Sequence, residues 1–71
     1  MEMNDMNEKL QFFLEQQIKV HIDLSDGTYL NGTLIKKVKE NVWIIFEDKL
    51  GNVFVFEKDI SKLQQFREDE K

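Results

Sequence analysis

The sequence predicts a small, mainly β domain in which one N-terminal α-helix precedes a five-stranded, strongly bent antiparallel barrel. Three observations predict this fold: apolar residues first recur at helical spacing, apolar and polar residues then alternate, and glycines lie at a turn and within a strand of the alternating region. The chain has 71 residues and no proline, so one small domain over 1–71 is expected and every strand residue can donate a backbone hydrogen bond. We expect the helix at 5–17, the barrel at 18–66 and a charged tail at 67–71.

The segment DMNEKLQFFLEQQ (5–17) predicts the helix. Asp5 followed by Glu8 is typical of a helix N-terminus, because an aspartate side chain accepts hydrogen bonds from the first free backbone N–H groups. Phe12 lies off the apolar stripe, so it either widens the buried face or contacts a partner. The stripe itself consists of Met6, Leu10, Phe13 and Leu14.

The first two strands are expected on either side of a hairpin turn. IKVHIDL (18–24) alternates strictly, which indicates a strand with one buried face. SDGT then predicts a turn, since Gly27 supplies a positive φ that other residues resist. In the second strand, YLNGTLIKKV (29–38), Gly32 lies on the inward face. A glycine there marks a bulge, a bend or a close backbone approach, and we expect it to let the strand bend and close the barrel.

The remaining segments are shorter. The apolar composition of the third strand predicts that both of its faces are covered. Polar segments are expected as a connection at 36–41 (KKVKEN), a turn at 48–52 (DKLGN) and a corner at 58–61 (KDIS). Strands are expected at 42–47 (VWIIFE), 53–57 (VFVFE) and 62–66 (KLQQF).

Composition limits the classes of function. The net charge of −4 disfavours a polyanionic partner, because phosphate binding uses clustered lysine and arginine. With no cysteine and a single histidine, His21, we expect neither a metal site nor a cofactor. No nucleophile and base stand at a motif spacing, and the acidic residues are expected at solvent positions. We therefore expect neither an enzyme nor a small-molecule substrate.

The sequence contains no membrane or export signal. No apolar run approaches the roughly 20 residues that span a bilayer. The N-terminal segment MEMNDMNEKL is acidic and polar, unlike a secretory signal. We therefore expect a cytoplasmic protein without a membrane partner.

The stretch VHIDLSDGTYLNGTLIKKVKENVWIIFED, followed by NVFVFEKDISKL, resembles the Sm-like fold in its bacterial Hfq form. The resemblance rests on the spacing of Gly27 and Gly32, on the apolar third strand and on VFEKDIS, where Hfq proteins carry an aromatic-Lys-His-x-Ile-Ser corner. It implies a ring of identical subunits, a hexamer being favoured, in which the fourth strand pairs with the fifth strand of the next subunit. The apolar VFVFE supports this independently, because such an edge would aggregate if it stayed exposed.

The resemblance also implies that single-stranded, uridine-rich RNA binds at the pore of the ring. Glu57 and Lys58 replace the Lys-His pair of the Hfq corner, and Lys58 falls where other Sm proteins place an arginine. Asn41 falls where those proteins place a base-reading asparagine. The position of the stacking aromatic is held by Lys39 in the Sm alignment and by Val42 or a neighbour in the Hfq alignment. Repeated around a ring, the basic run that includes Lys39 would make one annulus positive.

Other surfaces of Hfq rings lack their RNA-binding residues here. The stacking tyrosine of the adenine-binding face is replaced by Asp23, and the rim arginines are replaced by Leu14, Glu15, Gln16 and Gln17. We therefore expect no adenine-rich binding and no strand annealing. Tyr29 is expected to pack on the barrel surface and His21 to lie at the surface. Trp43 is expected in the core or an interface, and five phenylalanines in the core and in subunit contacts: Phe12, Phe46, Phe54, Phe56 and Phe66.

Simpler interpretations stay open. Asn41 fits an ordinary turn residue, Lys58 a solvated charge, and the lysine run a solubilising loop. The acidic surface also fits an Sm-like ring, or a small barrel, that acts as a protein-interaction scaffold without RNA. A monomeric SH3-like barrel that recognises peptides is the remaining alternative.

Overall fold

The computed structural model describes residues 5–67 as one helix followed by five antiparallel strands, which confirms the predicted fold class. The strand order in the sheet is β4-β3-β2-β1-β5. Within the described residues β4 and β5 are therefore the two edges, and the sheet stays open between them. The elements are α1 (Met6–Gln16), β1 (Val20–Leu24), β2 (Tyr29–Lys39), β3 (Val42–Glu47), β4 (Gly51–Phe56), a 3-10 turn (Glu57–Asp59) and β5 (Ile60–Gln65).

The helix has the predicted N-terminus and the predicted apolar stripe. The Asp5 side chain accepts a 3.1 Å hydrogen bond from the backbone N–H of Asn7. At the other end Gln17 adopts a left-handed conformation, which stops the helix. Leu10 is fully buried and its stripe neighbours pack against the core, whereas Phe12 is 54% exposed. No helix within 5–67 combines the length and the apolar character needed to cross a membrane.

One hydrophobic core joins the helix to the sheet. Leu10 projects into it from α1, and Trp43 from β3 is its largest fully buried side chain, as expected. The inward positions of β1 and β2 alternate as predicted. The other fully buried large side chains are Val20, Ile22, Leu34 and Ile45.

Gly32 allows β2 and β3 to approach closely. A Cβ atom built on Gly32 would lie 2.8 Å from the carbonyl carbon of Phe46 and 2.9 Å from the Cα of Glu47. The irregularities in the ladder fall further along β2, at register shifts between Leu34 and Lys36 and between Lys37 and Lys39. Gly32 is therefore needed because β2 and β3 lie so close together at this position. The ladder is regular at Gly32, so the expected bend is not seen there as a register shift.

The second strand, expected over 29–38, ends one residue later, so the overlapping polar connection expected over 36–41 is wrong. β2 continues through Lys39, and the chain reverses over Glu40 and Asn41 alone, with Asn41 at φ 67°. Polar lysines fit a strand here because their stems lie along an apolar neighbour. Lys37 pairs with Trp43, and its ammonium lies 5.5 Å from the centroid of the indole ring.

The other element boundaries differ slightly from the prediction. Ile18 and Lys19 precede β1, and β4 begins at the positive-φ residue Gly51. The corner expected at 58–61 is a 3-10 turn that starts one residue earlier, so β5 begins at Ile60. Of the expected charged tail, only Arg67 is described, and 68–71 lie outside the described residues.

Large aromatic side chains are exposed on the outer face of β3 and β4. Phe46 is 55% exposed, Phe54 61% and Phe56 44%. The expectation that both faces of β3 are covered is therefore wrong for a single chain. The expected core position is also wrong for these three residues and for Phe12. Phe66 is half-buried, and the Lys19 ammonium lies 4.2 Å from the centroid of its ring. Contact with another subunit stays a prediction for the exposed rings.

Candidate nucleic-acid interface

A surface pocket of about 560 Å³ opens where the β2–β3 turn meets the end of β4 and the 3-10 turn. It brings together four residues that the sequence singled out for RNA: Asn41, Val42, Glu57 and Lys58. The fifth, Lys39, does not line the pocket. It is exposed at the end of β2 and pairs with Val42 across the β2–β3 ladder. The remaining lining residues are Met6, Glu40 and Phe56.

Asn41 positions two chain segments through its backbone. Its left-handed conformation makes the tight turn between β2 and β3. Its carbonyl accepts a 2.9 Å hydrogen bond from the N–H of Glu57, which ties the turn to the β4–β5 corner. The residue is exposed, so this turn function leaves the side-chain amide open to the pocket.

Glu57 connects the helix to the core. Its Oε2 accepts hydrogen bonds from Trp43 Nε1 at 2.7 Å and from Asn7 Nδ2 at 2.9 Å. Asn7 lies in the first turn of α1, where the positive end of the helix dipole favours a carboxylate. Sequence reasoning missed this role. The available signal was that a buried indole N–H needs an acceptor.

Lys58 and Val42 differ strongly in accessibility. The Lys58 side chain is 81% exposed, and its ammonium lies 3.4 Å from Asp59 Oδ1, an ion pair too exposed to hold it firmly. It is thus available to a phosphate. Val42 is 8% exposed, so it forms part of the pocket wall and offers no flat surface for a base.

Phe56 supplies the aromatic surface that the sequence did not locate. Its ring is 44% exposed, lines the pocket and stands opposite Val42 in the β3–β4 ladder. Lys58 Nζ lies 6.0 Å from the ring centroid. The signal in the sequence was the aromatic position of the Hfq corner, directly before Glu57 and Lys58.

A second polar cluster lies on β1 and β2, away from this pocket. His21 is half-buried and not simply at the surface: Nδ1 lies 2.5 Å from Asn31 Oδ1 and Nε2 lies 3.0 Å from Asp23 Oδ1. The ring of Tyr29, which is 57% exposed, stacks on the imidazole at 5.4 Å between centroids. Asp23 is thus engaged by His21, at the position where the resemblance places a stacking tyrosine.

Glu47 is a buried carboxylate, and the expectation that acidic residues occupy solvent positions is wrong for it. Its side chain accepts hydrogen bonds from the backbone N–H groups of Lys49 at 2.8 Å, Leu50 at 2.9 Å and Asn31 at 3.1 Å. These bonds, above all that from Lys49, lower the pKa of Glu47 below its ordinary value. Glu47 therefore organises the β3–β4 turn and takes no part in the pocket.

Comparison with known proteins identifies the fold. No family model matches the chain, and no curated protein sequence matches it. The crystal structure of an Hfq protein from Anabaena sp. superposes with a TM-score of 0.68 at 21% sequence identity. The match covers 86% of this chain and 95% of that protein. The chain therefore has an Sm fold of the Hfq-like form.

Proposed function

We propose that this protein assembles into a homo-oligomeric ring, a hexamer being favoured, and binds single-stranded RNA at the pocket around Asn41 and Lys58. One observation carries the proposal: on an Hfq-like Sm fold, the candidate residues from two separate segments line a single pocket. A cytoplasmic post-transcriptional regulator without enzymatic activity is the role that fits this binding function.

Two unpaired strand edges support the ring. Within the described residues, β4 and β5 lie at opposite edges of one open sheet. Phe54 on β4 is 61% exposed, and such an apolar edge is an aggregation hazard. Pairing β4 of one copy with β5 of the next removes both edges, and closure into a ring avoids an open filament.

The pocket offers the groups that single-stranded RNA needs. The exposed Phe56 ring provides a surface on which a base stacks, which contributes about 1–3 kcal/mol per base. The Asn41 amide both donates and accepts at a base edge, while Lys58 meets phosphate and Lys39 adds electrostatic support. Uridine-rich RNA is the ligand that the Hfq resemblance implies.

The test combines assembly with binding. Light scattering on the full chain gives the subunit number, and fluorescence anisotropy measures binding of labelled uridine-rich and adenine-rich hexanucleotides at about 50 mM salt. We expect a ring that binds the uridine-rich RNA, and weaker binding for Phe56→Ala. A ring that binds neither RNA would contradict the proposal and favour a protein-interaction scaffold. A monomer would contradict it altogether.

A further inference from the structure

The two carboxylate oxygens of Glu57 differ: Oε2 accepts two hydrogen bonds, and Oε1 is free to accept from a ligand. Oε2 of Glu57 already accepts from Trp43 and Asn7. Oε1 has no hydrogen-bond partner among the described residues, and the half-buried Glu57 lines the pocket. Because two hydrogen bonds orient the carboxylate, Oε1 is a fixed acceptor at the wall of a pocket that also contains Phe56.

A fixed carboxylate distinguishes the four RNA bases by their Watson–Crick edges. An ionised carboxylate only accepts hydrogen bonds. Guanine presents two adjacent donors, N1–H and the N2 amino group. Uracil presents one N–H between two carbonyl oxygens, which a carboxylate repels. Adenine and cytosine each present one amino group beside a ring nitrogen acceptor.

The surrounding residues complete a guanine site. Stacked on Phe56, guanine would direct its two donors at Glu57, while its O6 carbonyl would need a donor. The Asn41 amide and the Lys58 ammonium are donors that line the same pocket. The pocket volume of about 560 Å³ also admits a purine.

We propose that Glu57 makes this pocket selective for guanine within single-stranded RNA. The inference rests on the proposed RNA-binding function and concerns the base that the same pocket reads. Good bidentate contacts discriminate between bases by roughly 1–3 kcal/mol, so we expect at least about fivefold tighter binding of guanine than of uracil.

The experiment changes one base at a time. Fluorescence anisotropy on the assembled full chain compares a labelled uridine hexanucleotide with three versions that carry one central guanine, adenine or cytosine. A single guanine avoids guanine-rich self-association. We expect the guanine version to bind at least about fivefold more tightly than the all-uridine version. Equal binding of these two RNAs overturns the guanine inference and leaves the proposed RNA function intact. Binding of none of the four overturns both.

Two variants assign the preference to this carboxylate. In Glu57→Gln the amide oxygen still accepts from Trp43, but the open position becomes a donor, so the guanine preference should fall to about twofold or less. Glu15→Gln makes the same change of charge on an exposed residue of α1 that does not line the pocket, and should keep the preference. Persistence of the preference in Glu57→Gln, with native circular dichroism, would overturn the assignment.

Discussion

The indole N–H of Trp43 donates to Oε2 of Glu57 at 2.7 Å. Trp43 has no exposed surface, so water cannot replace this acceptor if it is lost. Asn7 of α1 donates to the same oxygen at 2.9 Å. The stability of the fold and the shape of the candidate pocket therefore depend on one side chain.

Replacing Glu57 by leucine should destabilise the protein by about 1–3 kcal/mol, because the buried Trp43 N–H loses its acceptor. Glu57→Gln retains an acceptor and should cost clearly less. Urea unfolding followed by Trp43 fluorescence measures both. Equal losses for the two variants would show that the carboxylate charge matters more than the hydrogen bond.

Gly32→Ala should destabilise the protein by about 3 kcal/mol, because its Cβ would overlap the backbone of β3 at Phe46. Gly27→Ala is the control. A Cβ there meets nothing within 4 Å, but φ is +94°, so a smaller loss of about 1–2 kcal/mol is expected from backbone strain. Thermal unfolding by circular dichroism distinguishes the two. A larger loss of stability for Gly27→Ala than for Gly32→Ala would show that the hairpin turn tolerates a side chain less well than the β2–β3 contact does.

Glu47 should make stability sensitive to acid. Its folded-state pKa lies below its ordinary value, so its contribution is fully present above the unfolded pKa, about 4.3, and is lost as pH falls through the lower folded pKa. Wild type should therefore exceed Glu47→Gln in urea midpoint at pH 7, and the difference should shrink on acidification. Glu15→Gln, on an exposed residue, should show no such trend relative to wild type. A difference independent of pH would assign the role of Glu47 to packing.

Phe54→Lys should dissociate the proposed ring, because it places a charge on the exposed edge strand β4. Ile35→Lys is the control: Ile35 is 45% exposed but lies on β2, an inner strand of the sheet. Light scattering should give a reduced mass for Phe54→Lys alone. A ring that survives this change would exclude the outer face of β4 from the subunit contact.

Lys58→Gln should weaken the proposed RNA binding and make it less dependent on salt. Each phosphate contact to single-stranded RNA contributes about 0.7 to the slope of log K against log salt, so the slope should decrease by about that amount per occupied subunit. Lys9→Gln removes an exposed lysine that does not line the pocket and should leave the slope unchanged. An unaltered slope for Lys58→Gln would show that this lysine does not contact phosphate.

Much of the fold follows from local patterns. The cap at Asp5, the stripe around Leu10 and the bounds of β3 were predictable, because periodicity and capping depend on neighbouring residues. The end of β2 was predicted only in part, because residues 36–38 fit both the expected strand and the expected polar connection. The pairing of Lys36 with Ile44 and of Lys37 with Trp43 makes them strand residues.

The candidate site was predictable in part, through resemblance and not through chemistry. Asn41 and Lys58 came from matching positions, whereas the exposure of Phe56 depends on how β4 lies in the sheet. The buried carboxylate of Glu47 also escaped prediction, since its partners are backbone N–H groups that have no sequence signature.

The curvature of a single chain has a consequence for the number of copies. Register shifts interrupt the β2–β3 ladder at two places and the β1–β5 ladder between Asp23 and Leu24. Such irregularities bend a sheet, and in the proposed ring each copy is rotated relative to its neighbour by a full turn divided by the number of copies. The number of subunits in the proposed ring then depends on the shape of each chain and not on how tightly the copies bind.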